Sequence, residues 1–101
     1  MRDQGKIRFI GVCNVSPEEL NESRARAPIV SNQFRYSMLH REAEPDVLPL
    51  CASHRLATLT YMSLEQGLLS GKIGMDRVFQ PSEFRSNAHW NDWMVPANRR
   101  R

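Results

Sequence analysis

The chain has 101 residues, of which 41% are hydrophobic and 25% charged, and a formal net charge of +3 at pH 7; this fits one globular domain at most and excludes a disordered tail. No apolar stretch approaches the roughly 18 residues that a membrane span requires, and the first six residues lack a signal peptide's apolar region, so we expect a cytoplasmic protein without membrane contact. Acidic residues interrupt every basic face, which argues against nucleic-acid binding. The spacings of the cysteines and histidines match no metal-binding motif, so Cys13 and Cys51 are predicted to be free thiols.

The first predicted strand covers residues 7–12, which are rich in Ile, Val and Phe and lie between a glycine turn and a polar segment. Gly11 lies within this strand, and its missing side chain predicts that a neighbouring element approaches the backbone closely there. Cys13 and Asn14 follow directly. The sequence therefore predicts a strand that ends in a thiol and a side-chain amide.

A helix is predicted to begin at Ser16, which suits the N-cap position. Pro17 fits the first helical position, and Glu19 completes a capping box with Ser16. Leu20 gives this helix an apolar contact. The helix must end before Pro28, because the residue that precedes a proline disfavours helical backbone.

The second predicted strand covers residues 29–33 and ends in Gln33, and a loop of mixed polarity follows over residues 34–43. A second helix is predicted to begin at Asp46, a good N-cap, and to end near residues 54–55. Its buried side consists of apolar residues, namely Val47, Leu48, Leu50 and Cys51.

The third predicted strand covers residues 56–61 and ends in Tyr61. Residues 62–72 carry two glycines and no clear periodicity, so we expect a loop or a short turn there. Residues 73–101 are rich in turn-forming residues and predict an irregular C-terminal segment.

Strands joined by helical crossovers form a parallel sheet, so this order predicts an α/β fold built on a parallel β-α-β-α-β unit. Ligands of parallel α/β proteins bind at the carboxyl ends of the strands. Asn14, Gln33 and Tyr61 are therefore predicted on one rim, where they can hydrogen-bond an amide or stack on a flat ring. Three strands cannot close a barrel, so the sheet edges stay open and we expect a piece of a larger fold.

Four motifs follow one another in an order typical of one protein family. Residues 5–16, GKIRFIGVCNVS, resemble the stretch usually written G-K-I-R-x-I-G-V-S-N-F-S around its fifth barrel strand. Residues 31–37 resemble its sixth strand, and residues 61–72 its seventh strand with the loop Y-S-P-L-x-x-G-L-L-T-G-K. Residues 84–87 and 96–99 are similar to the stretch that follows in members closest to potassium-channel β-subunits. The family that these motifs resemble is the aldo-keto reductases.

The resemblance implies that residues 1–101 are a single partial (β/α)8 TIM-barrel domain, with its core at residues 5–72 and an irregular tail at residues 73–101. In that family NADP(H) lies across the carboxyl-end face of the barrel, and a hydride passes to an aldehyde or ketone. The full-length protein is thus expected to bind a nicotinamide dinucleotide and a small carbonyl substrate. The positions that match the family's cofactor contacts are Cys13, Asn14, Gln33, Tyr61, Leu64, Gly67, Leu68 and Lys72.

The resemblance also assigns a role to each of these positions. Asn14 and Gln33 match the residues that hydrogen-bond the nicotinamide carboxamide, and Tyr61 matches the aromatic that stacks on the nicotinamide ring. The last four positions belong to the loop that wraps the pyrophosphate, with Lys72 as its cation. Considered without the family, Asn14 and Gln33 could equally satisfy local backbone groups, Tyr61 could be a packing residue and Lys72 a solvated one.

The chain departs from the family pattern at three positions. Cys13 replaces a serine, which weakens one hydrogen bond to the carboxamide, and Met62 and Ser63 replace a serine and a proline in the pyrophosphate loop. The family's catalytic aspartate, tyrosine, lysine and histidine belong to the first half of the barrel, which this chain does not contain. We therefore expect no catalytic or metal-binding residue here and negligible reductase activity from the isolated chain.

Two other functions remain open on the sequence. The chain could be a non-catalytic protein that complements another barrel half or self-associates through its open sheet edges, with Trp90 and Trp93 as part of a contact surface. It could also be a remnant that binds nucleotide no more tightly than about millimolar.

Overall fold

The computed structural model of the chain describes residues 1–86. Strands and helices alternate, and two short 3-10 segments follow: β1 (Ile10–Cys13), α1 (Pro17–Arg26), β2 (Ile29–Arg35), α2 (Val47–Ser53), β3 (Ala57–Tyr61), then Glu65–Ser70 and Phe84–Ser86. The chain divides into two compact units, Met1–Ser63 and Leu64–Arg101. The predictions for Trp90, Trp93 and the family-like residues 87 and 96–99 lie outside the described residues.

The three strands form one parallel sheet in the order β1-β2-β3, as the crossover pattern predicts. Cys13 pairs with Gln33, and Arg35 pairs with Tyr61. Within residues 1–86, β1 and β3 are the two edges of the sheet. The register shifts between Ile10 and Gly11, and a Cβ atom at Gly11 would clash with the Ser31 side chain. The predicted close approach at the glycine is confirmed.

Helix α1 begins and ends where its sequence signals predict. Ser16 N–H donates to Glu19 Oε2 at 2.7 Å, and Glu19 N–H donates to Ser16 Oγ at 3.2 Å, which forms the capping box. The C-cap Ala27 is extended just before Pro28. Leu20 is the only residue of this helix that is fully buried, so the helix packs through a single leucine.

The strand boundaries differ from the predicted ones at two places. Strand β1 begins at Ile10 rather than at residue 7, because β2 begins at Ile29, the partner of Ile10, and offers no partner to the preceding residues. Strand β2 continues through Phe34 and Arg35, which were predicted to begin a loop. The continuation has a long-range cause, since β3 pairs with both residues and Phe34 is buried.

The hydrophobic core lies between the two helices and one face of the sheet, and its buried members are Leu20, Ile29, Phe34 and Cys51. The opposite face is not covered: Cys13 and Gln33 are exposed, and Leu59 is 51% exposed. In the described part of the chain, no helix has the length and apolar character needed to cross a membrane. The first unit is therefore a sheet with helices on one side only.

Candidate functional site

The carboxyl-end rim of the sheet brings together two of the predicted site residues. Asn14 follows β1 directly, and its backbone N–H donates to the Gln33 carbonyl oxygen at 2.7 Å. Tyr61, the last residue of β3, donates its hydroxyl to Asn14 Oδ1 at 2.9 Å. This bond joins residues 47 positions apart and spans β2. The Asn14 amide, the Tyr61 phenol and the backbone carbonyl of Gln33 thus lie together at one rim.

The residue that directly follows β1 and the residue that directly follows β3 both have left-handed backbone. Asn14 has a φ of 54°, and Met62, which follows Tyr61, has a φ of 55°. Asparagine tolerates this conformation better than other non-glycine residues because its short polar side chain can hydrogen-bond locally. The chain therefore leaves the sheet abruptly at both points, which keeps Asn14 and Tyr61 at the rim. Outliers of this kind cluster at functional sites.

Cys13 and Gln33 are register partners on the uncovered face of the sheet, just below this rim. Both are exposed, and Cys13 is a free thiol, as predicted. The glutamine amide offers a donor and an acceptor, whereas a thiol is a weak donor and acceptor. Together with Asn14 and Tyr61, these side chains can hydrogen-bond a planar polar ligand. Residues 1–86 contain no cluster of His, Cys, Asp or Glu that could hold a metal ion.

A cavity of about 370 Å³ lies beside the Asn14–Tyr61 pair. Its polar lining outside that pair comes from charged or ionisable side chains of β2 and the following loop, namely Arg35, His40, Glu42 and Asp46. His40 Nε2 lies 3.2 Å from Glu42 Oε2. The sequence pattern does not predict this cavity, because residues 34–43 show only mixed polarity. The charged pattern of the loop was the one available signal.

The loop between β2 and α2 is held by a hydrogen-bonded cluster at its ends. Tyr36 donates its hydroxyl to Glu44 Oε1 at 2.6 Å, and Arg41 contacts both Glu44 oxygens at 2.7 and 2.8 Å. The Arg41 and Tyr36 hydrogen bonds lower the pKa of Glu44, and the bond to Glu44 raises the pKa of Tyr36. Tyr36 thus has a structural role in this loop.

The second unit contains the other four predicted site residues. Gly67 has a φ of 95°, which glycine adopts without steric cost, and it follows Gln66 with a φ of 54°. A cavity of about 270 Å³ in this unit is lined by both Gly67 and Lys72. Leu64, which is 60% exposed, and the half-buried Leu68 do not line it.

The cavity in the second unit contains more positive charge than the single predicted cation, Lys72. Arg77 and Arg85 also line it, and their guanidinium carbons lie 5.8 and 4.9 Å from the centre of the Phe79 ring. Glu83 lies 3.4 Å from Arg77 and 3.5 Å from Arg85, so one carboxylate contacts both arginines, whereas the cavity itself is lined by three cations. Such a site suits an anion such as phosphate. The two arginines were missed because the spacing of Lys72, Arg77 and Arg85 has no regular period.

Comparison with known proteins gives one consistent family. The family model described as the aldo/keto reductase family matches residues 1–100. The chain is 41% identical over 85 residues to the aldo-keto reductase YhdN of Bacillus subtilis, an alignment that covers 84% of this chain and 26% of that protein. It is 38% identical over 90 residues to the NADH-specific methylglyoxal reductase of Escherichia coli, covering 89% of this chain and 27% of that protein.

A solved structure shows the same fold. The structure of the glycerol dehydrogenase AKR11B4 from Gluconobacter oxydans matches with a TM-score of 0.80 and 38% sequence identity, over 85% of this chain and 26% of that one. The parallel three-stranded sheet with its helices thus matches part of a TIM barrel, as the sequence predicts. The chain spans about a quarter of the length of the relatives that it matches.

Proposed function

Because this chain belongs to the aldo/keto reductase family, we propose that it supplies part of the nicotinamide-cofactor site of a reductase that converts an aldehyde or ketone to an alcohol with NADP(H). Residues 1–101 are part of a single barrel domain in this proposal, and the protein is cytoplasmic. The bound dinucleotide supplies the hydride. This chain binds and orients the cofactor and contributes no catalytic residue.

The observation that carries the proposal is the hydrogen bond between Tyr61 and Asn14, at 2.9 Å, on the carboxyl-end rim. It joins an amide side chain and an aromatic ring, and Gln33 contacts Asn14 through its backbone oxygen. An amide can both donate to and accept from the nicotinamide carboxamide, and a flat ring can cover one face of the nicotinamide. Cys13 adds a weak hydrogen-bonding group beside them.

The pyrophosphate contacts of the proposal lie in the second unit. Gly67 and Lys72 line a cavity that suits an anion, and Leu64 and Leu68 belong to the same loop. Backbone N–H groups and an ammonium are favourable partners for phosphate oxygens. Arg85 also lines this cavity, with its guanidinium group over the Phe79 ring, and is a further candidate phosphate contact. The Escherichia coli relative is named NADH-specific, so both dinucleotides belong in the test.

The test is a titration of the ¹⁵N-labelled 101-residue chain with NADP⁺, NAD⁺ and ADP-ribose, followed by NMR. We expect the side-chain amide signals of Asn14 and Gln33 to shift with the two nicotinamide dinucleotides but not with ADP-ribose, with a dissociation constant of about 1 mM or weaker because only part of the site is present. Asn14→Asp, which has no side-chain amide signal at residue 14, should abolish the shift of the Gln33 signal, and Asn21→Asp, on the exposed side of α1, is the matched control. Identical responses to ADP-ribose and NADP⁺ would refute the proposed carboxamide contact.

A second candidate is a non-catalytic chain that completes another barrel half or self-associates. The uncovered face of the sheet and the edge strand β3, with Leu59 51% exposed, favour it. Light scattering after size-exclusion chromatography separates the two candidates. A concentration-dependent dimer that Leu59→Lys converts to monomer supports self-association, and a monomer at every concentration counts against it.

A further inference from the structure

The side chain of Tyr61 has two parts, a ring and a hydroxyl, and the proposed function gives only the ring a role toward the ligand. We infer that Tyr61 is also a positioning residue: its hydroxyl fixes the side-chain amide of Asn14, so that the NH₂ group of Asn14 is the part that meets the ligand. The inference deepens the proposed function and rests on it for the identity of the ligand.

Asn14 is held at the rim by its backbone and by one side-chain contact. Its backbone is fixed by the N–H bond to the Gln33 carbonyl at 2.7 Å and by its left-handed φ of 54°. The side chain is exposed and would otherwise rotate freely, since surface rotamers interconvert within nanoseconds. The contact that restrains it is the Tyr61 hydroxyl at 2.9 Å.

The Tyr61 hydroxyl also determines which end of the Asn14 amide faces the ligand. An asparagine amide has an oxygen that accepts and an NH₂ group that donates, and a half-turn about its last torsion exchanges them. The Tyr61 hydroxyl donates to Oδ1, so the oxygen faces β3. The NH₂ group is then available to donate to a carbonyl oxygen, such as that of a carboxamide. Without the hydroxyl, both orientations would be populated.

The roles of the Tyr61 hydroxyl and of its ring can be separated by one substitution. Tyr61→Phe keeps a flat ring of the same size at the end of β3 and removes only the donor. Ring stacking alone therefore predicts no effect of this substitution. Fixing Asn14 in advance removes part of the cost of ordering it when the ligand binds, so the inference predicts that affinity falls about fivefold. Tyr36→Phe is the matched control, because the Tyr36 hydroxyl contacts Glu44 instead.

The deciding experiment measures the order of the Asn14 side-chain amide by ¹⁵N relaxation in the 101-residue chain, without ligand. We expect an order parameter near that of the rigid backbone, about 0.85, in the unmodified chain and in Tyr36→Phe, and a value below about 0.6 in Tyr61→Phe. An Asn14 amide that stays equally ordered in Tyr61→Phe would overturn the inference.

A titration with NAD⁺ and NADP⁺ then adds the functional readout. Tyr61→Phe should weaken binding about fivefold in the unmodified background and have no effect in the Asn14→Ala background, since the hydroxyl acts through Asn14. An equal loss in both backgrounds would overturn the inference. If the unmodified chain binds neither dinucleotide, the proposed function fails, while the relaxation result still decides whether Tyr61 orders Asn14.

Discussion

Helix α1 should depend on one side chain for its attachment to the sheet. Leu20 is its only fully buried residue, with 0% exposure, and it packs in the core with Ile29, Phe34 and Cys51. Leu20→Ala removes this contact and leaves a cavity beside the sheet. Comparable buried leucine-to-alanine changes cost about 3–5 kcal/mol, and we expect about 3 kcal/mol here. Complete native domains have free energies of unfolding of about 5–15 kcal/mol, so a loss of this size is a large fraction even of a whole domain's stability.

The assay is urea unfolding followed by far-ultraviolet circular dichroism. Leu20→Ala should lower the midpoint without changing the dependence of the free energy on urea, because the surface exposed on unfolding is nearly the same. Met38→Ala, at a side chain that is 80% exposed, is the control and should stay within about 0.5 kcal/mol of the unmodified chain. A loss below about 1 kcal/mol for Leu20→Ala would show that this leucine does not hold α1 on the sheet.

Three further outcomes can be measured on the same chain. Ser16→Ala removes the side-chain half of the capping box with Glu19 and should cost about 1 kcal/mol in urea unfolding; no loss would contradict the cap. The pKa of Glu44 is lowered by Arg41 and Tyr36, so its stabilising contribution is present above the unfolded-state pKa and is lost as the pH falls through the folded-state value. Glu44→Gln should therefore flatten the dependence of unfolding on pH in the acidic range, and an unchanged acid profile would contradict this. Finally, the isolated chain should not reduce an aldehyde with NADPH above background, and measurable turnover would be evidence of a catalytic group within it.

The features that the sequence predicts correctly are those with local causes. The capping box at Ser16 and the proline at residue 28 determine the ends of α1 without reference to the rest of the chain. The parallel sheet follows from the alternation of strand and helix patterns. By contrast, Arg35 belongs to β2 because β3 pairs with it, and residues that pair 26 positions apart leave no local pattern.

The site was predicted only to the level of residue types and strand ends. The position of Asn14 directly after β1 and that of Tyr61 at the end of β3 follow from the sequence pattern. Gln33 was predicted to end β2 but lies two residues before its end, because β3 extends the pairing to Arg35. The bond between Asn14 and Tyr61 depends on the register of three strands. The left-handed backbone at Asn14 could not be predicted either, because asparagine tolerates this conformation but also adopts others. The cavity with Arg77 and Arg85 comes from loop geometry, for which the sequence has no periodic signal.

The thiol at Cys13 bears on how much the orientation of Asn14 matters. The resemblance to the family implies a serine at this position, whose hydroxyl is a stronger hydrogen-bond donor than a thiol. Cys13 lies opposite Gln33, on the same exposed face, so the hydrogen bonds to a carboxamide would depend mainly on the two amide side chains. Gln33 is exposed and longer than Asn14, and it loses more rotamer freedom on binding. Asn14, which the Tyr61 hydroxyl already holds in place, can therefore bind a carboxamide at a lower entropic cost than Gln33.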